Sequence, residues 1–171
     1  MHRRQPVPPL WLMTDERLGG GLLDMIRRLP RNSGIVFRHY SLGPAERRTL
    51  FEMIRRIAAR RRLVLIVAGA DPLRGDGTHN RRGQGLQTAS AHNLRELKRA
   101  ERNGAHLIFL SPVFPTRSHP AGRTLGSRRF GAIAREAKVP VIALGGMNRR
   151  RARRLQALGA YGWAGIDAFS D

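Results

Sequence analysis

Two stretches of this 171-residue chain carry side chains suited to holding phosphate. Leu107-Ile108-Phe109-Leu110 leads directly into Ser111-Pro112-Val113-Phe114-Pro115-Thr116-Arg117-Ser118-His119. There an apolar run gives way to hydroxyls, a guanidinium and an imidazole, as when a buried parallel strand delivers side chains to a site at its C-terminal end. Val139-Pro140-Val141-Ile142-Ala143-Leu144 likewise runs into Gly145-Gly146-Met147-Asn148, and paired glycines let backbone amides approach an anion closely. Arg38 closes a third apolar run, where a guanidinium can grip an anion through two oxygens. Exit loops of these types point to a barrel that handles phosphorylated molecules.

Such loops need strands to present them. Trp11–Asp15, Gly34–Tyr40, Leu63–Gly69 and Leu107–Phe114 read as short buried strands, as do 139–144 and Tyr161–Asp167. Two further strands are placed at Gly77-Thr78-His79 and from Leu86 to His92. Leu22–Leu29 has helical spacing, with Leu22, Leu23, Ile26 and Leu29 on one face. Pro44 opens a second helix, whose buried face is read as Leu50, Met53, Ile54 and Ile57. Asn93 with Glu96 forms a capping-box signature for a third helix, ending at Asn103-Gly104. Further helices are read over Phe130–Lys138 and Arg150–Leu158. No amphipathic helix can be drawn from Ala70 to Gln87.

Strands alternating with helices imply a parallel α/β sheet. Eight strands fit a closed (β/α)8 TIM barrel, although a chain of this length is short for one. The expected fold is therefore a shortened barrel with helices missing around 70–86 and at the C-terminus. Residues 1–171 form a single domain in this reading, with 1–9 as a disordered tail. An open doubly wound sheet lacks support, because Gly19-Gly20-Gly21 does not fit G-x-G-x-x-G.

Composition narrows the classes. No apolar run is long enough for a membrane span, and the N-terminus lacks the apolar segment and cleavage site of a signal peptide. Zero cysteines exclude disulfides and thiolate chemistry and agree with a cytoplasmic location. The formal net charge of +20 raises nucleic-acid binding as an alternative. Against it, all but two of the 32 basic side chains are arginine, spread over several helical faces. No aromatic platform accompanies them.

Several motifs occur in an ordered series. Met13-Thr14-Asp15 is similar to V-T-D, Asp76-Gly77-Thr78-His79 to D-G-V-H, and Thr88-Ala89-Ser90-Ala91-His92 to G-V-S-A-H. Ser111–Thr116 matches G-P-V-F-x-T, Leu144–Asn148 matches I-G-G-I-x, and Gly159–Ile166 matches G-A-D-G-V-A-V-I. In this order and spacing the chain resembles the thiamine phosphate synthase/TenI family of (β/α)8 barrels from Trp11 to Phe169.

The resemblance implies a transferase that couples an aminopyrimidine methyl diphosphate with a thiazole phosphate, releasing pyrophosphate with Mg2+. It assigns Arg38, Ser90, His92, Thr116, Ser118 and His119 to the diphosphate and its chemistry, with Ser90 as a hydrogen-bond donor. His92 alternatively caps the following helix. Gly145, Gly146, Gly165 and Ile166 would cradle the thiazole phosphate through backbone amides. The chain departs from the family at several points. Val36 and Tyr40 replace a glutamine and a lysine beside Arg38, His119 replaces a lysine, and Asp167 replaces a serine. The metal carboxylates are not evident, which leaves Asp71 and Asp76 as candidates. Pro112 replaces the histidine of the TenI tautomerase, so that mechanism lacks its base, with His39, His79 and His92 as possible substitutes. A non-catalytic binder of thiazole or thiamine phosphate is the alternative function. The uncovered barrel flanks predict a homodimer.

Overall fold

Short, almost uninterrupted apolar runs suit strands that are buried on both faces, and here they close on one another. The computed structural model describes residues 7–116, 123–166 and 169. Its strands are β1 (Leu10–Met13), β2 (Gly34–Phe37), β3 (Val64–Ala68), β4 (Gly77–His79), β5 (Leu86–Ala91), β6 (Leu107–Leu110), β7 (Val141–Ala143) and β8 (Gly162–Gly165). They form a closed parallel barrel in chain order. Trp11 lies opposite Gly34 across β1 and β2, and Leu12 opposite Gly165 where β8 returns to β1. All eight expected strands are present; β4 keeps its expected bounds and each of the others ends earlier than expected.

The barrel interior is filled by Trp11, Met13, Val36, Ile66, Ala68, Leu107, Phe109, Ile142 and Ala164. Trp11 meets Phe109 edge-on, with ring centroids 5.4 Å apart. Gly34 makes this possible, since a Cβ there would lie only 2.2 Å from the indole ring. The opposite faces of the strands pack against α1 (Leu22–Arg28), α2 (Pro44–Arg61), α3 (Leu94–Arg102), α4 (Gly126–Arg135) and α5 (Arg149–Gln156). No described helix is long and apolar enough to cross a membrane.

No helix separates β3 from β4 or β4 from β5, and none follows β8 among the described residues. The shortened barrel expected from sequence is thus the one observed. Loops do the covering: Leu73 packs on the outer cluster beside β3, and Gly83 lies against Thr78 on the outside of β4.

Three details depart from expectation. Val7, Pro8 and Pro9 are tied down rather than disordered. The carbonyl of Pro8 accepts the Trp11 indole N–H at 2.6 Å, Pro9 accepts Trp163 N–H at 2.9 Å, and Val7 accepts the Tyr161 hydroxyl at 2.7 Å. α4 begins and ends earlier than its periodicity suggests. Leu125 and Gly126 bond back to Pro112 and Val113, and a tight turn through Glu136 and Ala137 leads to Pro140 at the entry of β7. The buried stripe of α2 is Arg47, Phe51, Ile54 and Ala58, while Met53 is 41% exposed.

Candidate functional site

The C-terminal ends of the strands gather most of the candidate residues at one mouth. Arg38 follows β2 and is fixed by the exit of β1. Its backbone N–H donates to Thr14 Oγ1 at 2.9 Å, its Nε to the Thr14 carbonyl at 2.8 Å, and its Nη2 to Asp15 Oδ2 at 2.9 Å. The remaining N–H groups of this fork suit an anion. Burial raises the pKa of Asp15, but hydrogen bonds from Arg17 and the charges of Arg17 and Arg38 outweigh it and hold the carboxyl below its usual range. Thr14 Oγ1 also contacts His39 Nδ1 at 3.0 Å. His39 stacks on Phe37, and burial lowers its pKa, so the ring is neutral near pH 7.

Arg47, from the first turn of α2, holds the exits of β2 and β3 together. It donates to the carbonyls of His39 (3.0 Å), Arg38 (2.7 Å) and Ala68 (2.7 Å), and it pairs with the Asp71 carboxylate. Its guanidinium lies 4.8 Å from the Phe37 ring centroid, and the residue is only 3% exposed.

Across the mouth, Ser90 on β5 reaches His79 on β4, with Oγ 3.1 Å from Nε2. His79 is buried and its other nitrogen contacts Thr88 Oγ1 at 2.9 Å. His92 does not cap α3 with its side chain. Its Nδ1 lies 2.7 Å from the Ser111 carbonyl, joining the exits of β5 and β6. Its backbone N–H donates to Glu96 Oε2 at 2.8 Å, while Asn93 is the N-cap of α3.

β7 and β8 are neighbours, so Gly145-Gly146 and Gly165-Ile166 leave the barrel side by side. The β7 turn is pressed against the β6 loop. Val113 donates to the Leu144 carbonyl at 2.9 Å and Phe114 to that of Gly145 at 3.1 Å. Gly145 and Gly146 have φ of 97° and 59°, and a Cβ on Gly146 would lie 2.9 Å from Phe114 Cβ. Only glycine meets both demands easily. Arg151, stacked on Phe114, donates to the Gly146 carbonyl. Thr116 lies in the described part of the β6 loop, whereas Ser118, His119 and Asp167 lie outside the described residues.

A Mg2+ site needs oxygen ligands, usually carboxylates together with phosphate oxygens. Asp71 is engaged by Arg47, and Asp15 by Arg17 and Arg38. Asp76 is at the opposite end of the barrel, where it accepts Leu65 N–H at 2.8 Å near the start of β3. Glu16 accepts from Ser41, and Glu96 from His92 and Asn93. Among the described residues no three His, Asp or Glu side chains are grouped to hold a metal. Among the described residues, the donor set at this mouth does not fit the ion.

Sequence reasoning passed over Thr14, Asp15 and Arg47 as parts of the site. Arg47 was detectable, because it stands in helical register with Phe51, Ile54 and Ala58 on an apolar stripe.

The geometry agrees with comparisons to known proteins. A family model described as thiamine monophosphate synthase matches residues 81–169. A putative thiamine-phosphate synthase 2 of Aquifex aeolicus is 41% identical over 80 residues, covering 47% of this chain and 43% of the relative. A thiamine-phosphate synthase of Pyrococcus furiosus is 36% identical over 80 residues, covering 47% and 39%. The matched stretch spans less than half the length of either relative. The solved thiamine phosphate pyrophosphorylase of Pyrococcus furiosus superposes with a TM-score of 0.78 at 23% identity, covering 95% of this chain and 86% of that one. This likeness establishes the shared fold.

Proposed function

Because the chain belongs to the thiamine monophosphate synthase family, we propose that it couples an aminopyrimidine methyl diphosphate to a thiazole phosphate in the cytoplasm. The observation that carries this reading is the convergence of Arg38, Ser90 and the Gly145-Gly146 turn at one end of a closed barrel. In the reaction the bond between the pyrimidine methylene and its diphosphate oxygen breaks. Pyrophosphate leaves with the electron pair, and the thiazole nitrogen supplies the pair for the new carbon–nitrogen bond.

Each residue has a part in that scheme. Arg38 faces the charge that develops on the leaving diphosphate, already aimed by Thr14 and Asp15, so little reorganisation is needed. Thr116 of the β6 loop is assigned to the same diphosphate, as the family resemblance assigns Ser118 and His119, which lie outside the described residues. The amides of Gly145, Gly146, Gly165 and Ile166 receive the thiazole phosphate. Among the described residues, no backbone carbonyl takes the amide hydrogens of Gly145 or Gly146.

The test is to mix both substrates with the protein and look for thiamine phosphate. Product formation supports the reading. Absence of product together with thermal stabilisation by thiamine phosphate selects a non-catalytic binder. Such stabilisation is about 2.7 kcal/mol at a hundredfold excess of ligand over Kd.

A homodimer is part of the same proposal. The flank between β8 and β1 carries no described helix and holds a groove of about 890 Å³ lined partly by Pro9, Leu10, Leu29 and Trp163. Light scattering that shows a monodisperse monomer would count against the dimer.

A further inference from the structure

The contact of Ser90 with His79 restricts where the serine proton can be. Thr88 Oγ1 lies 3.3 Å from the Thr78 carbonyl, which can only accept, and 2.9 Å from His79 Nδ1. A hydroxyl has one proton to give. With a neutral imidazole, all three contacts are satisfied together in one arrangement. Thr88 donates to Thr78, His79 Nδ1–H donates to Thr88, and Ser90 donates to His79 Nε2. The ring that accepts this proton is neutral. It is 5% exposed and meets Phe109 edge-on at 5.6 Å. Burial and the charge of Arg38 bring its pKa down to about 4. The serine backbone is fixed as well, since its N–H donates to Asn80 Oδ1 at 2.7 Å.

We propose that His79 is a positioning residue that turns Ser90 into a hydrogen-bond acceptor, so that the mouth prefers a heterocycle with an exocyclic amino group over one with an oxo group there. This rests on the reading of the mouth as a pyrimidine diphosphate site, and it reverses the sequence-based role of Ser90 as a donor. An amino group brings a proton to the free lone pairs of Oγ. An oxo group sets two acceptors against each other and leaves both without a partner, which is how a polar pocket rejects a near-isostere.

The experiment is calorimetric titration of the full chain with the aminopyrimidine methyl diphosphate, its 4-oxo analogue and inorganic pyrophosphate. The native chain is expected to favour the amino compound at least tenfold. His79→Phe keeps a planar ring beside Phe109 but has no acceptor. In it the preference falls below about threefold, while pyrophosphate affinity is unchanged. His79→Gln presents a carbonyl in the same region and restores the preference. Ser90→Ala, which leaves the interior intact, also abolishes it and serves if His79→Phe does not fold. A structural role alone would weaken all three ligands together and leave the ratio intact, and that result overturns the proposal. Equal binding of both pyrimidines by the native chain overturns it while sparing the parent reading. Failure of the native chain to bind any of the three refutes both.

Discussion

Replacing Arg47 by methionine keeps a stem of similar length and removes the guanidinium. Four hydrogen-bonded contacts are lost, three with the carbonyls of Arg38, His39 and Ala68 and one with the Asp71 carboxylate, together with the guanidinium's contact on the Phe37 ring. Hydrogen bonds to a charged group contribute about 1.5–3 kcal/mol each, yet they do not add when they belong to one group. Asp71 is 42% exposed and turns to water when its partner goes, so its share is below about 1 kcal/mol. The carbonyls cannot all do so. The expected loss is about 3–4 kcal/mol, near the lower end for breaking a buried charged contact. In urea that corresponds to a midpoint shift of roughly 1.5–2 M at an unchanged slope of about 2 kcal/mol/M. Arg47→Lys should lose about half as much, because a lysine ammonium lacks the planar fork. Asp71→Asn should hardly move the midpoint. A loss below about 1 kcal/mol for Arg47→Met, or equal losses for Arg47→Met and Asp71→Asn, would refute the idea that this guanidinium binds two loops together.

Other outcomes follow from the same geometry. His79 has a pKa of about 4 when folded, against an ordinary value of 6.5. The unfolded chain therefore takes up the proton first, and stability that is complete above pH 6.5 declines as pH falls towards 4. Urea midpoints at pH 7, 6 and 5 should show a decline that His79→Gln reduces; equal declines in the two proteins would contradict it. Gly146→Ala must fit a methyl group against Phe114 at positive φ. It should cost about 1–3 kcal/mol and weaken thiamine phosphate binding at least tenfold, as read by thermal denaturation with and without ligand. Arg38→Ala should reduce pyrophosphate affinity at least tenfold with a Tm change of only a few degrees; unchanged affinity by calorimetry would remove Arg38 from the site. Gly34→Ala drives a methyl group into Trp11 and should destabilise by about 2 kcal/mol or more, measured by the urea midpoint.

The barrel was legible in the chain because its signals are local. Apolar runs too short for helices, stopped by Ser-Pro or Gly-Gly, mark the strands, and even Gly77-Thr78-His79 was placed although it has no apolar run. The absent helices were equally plain, since no amphipathic period exists between Ala70 and Gln87. α2 misled because Leu50, Met53 and Ile57 form a plausible apolar face. The true stripe includes an arginine, and its burial depends on carbonyls from two other elements. The site divides in the same way. Arg38, Ser90 and the glycine turn were found from strand exits. The partners that fix Arg38, namely Thr14, Asp15 and Arg47, are set by contacts 9 to 24 residues away that no periodicity encodes. The acceptor role proposed for Ser90 depends on His79 of a neighbouring strand, a contact that local sequence does not show.

The unbroken ladder from β1 round to β8 has one more consequence. An open sheet stripped of covering helices would expose a row of unpaired peptide groups, a template on which other chains polymerise. A ring has no such border. Losing an outer helix here bares side chains, which substitution can make polar one at a time, while every strand keeps both neighbours. Architecture of this kind can be pared down on its outside without baring a strand edge, and the space vacated is open to new surfaces.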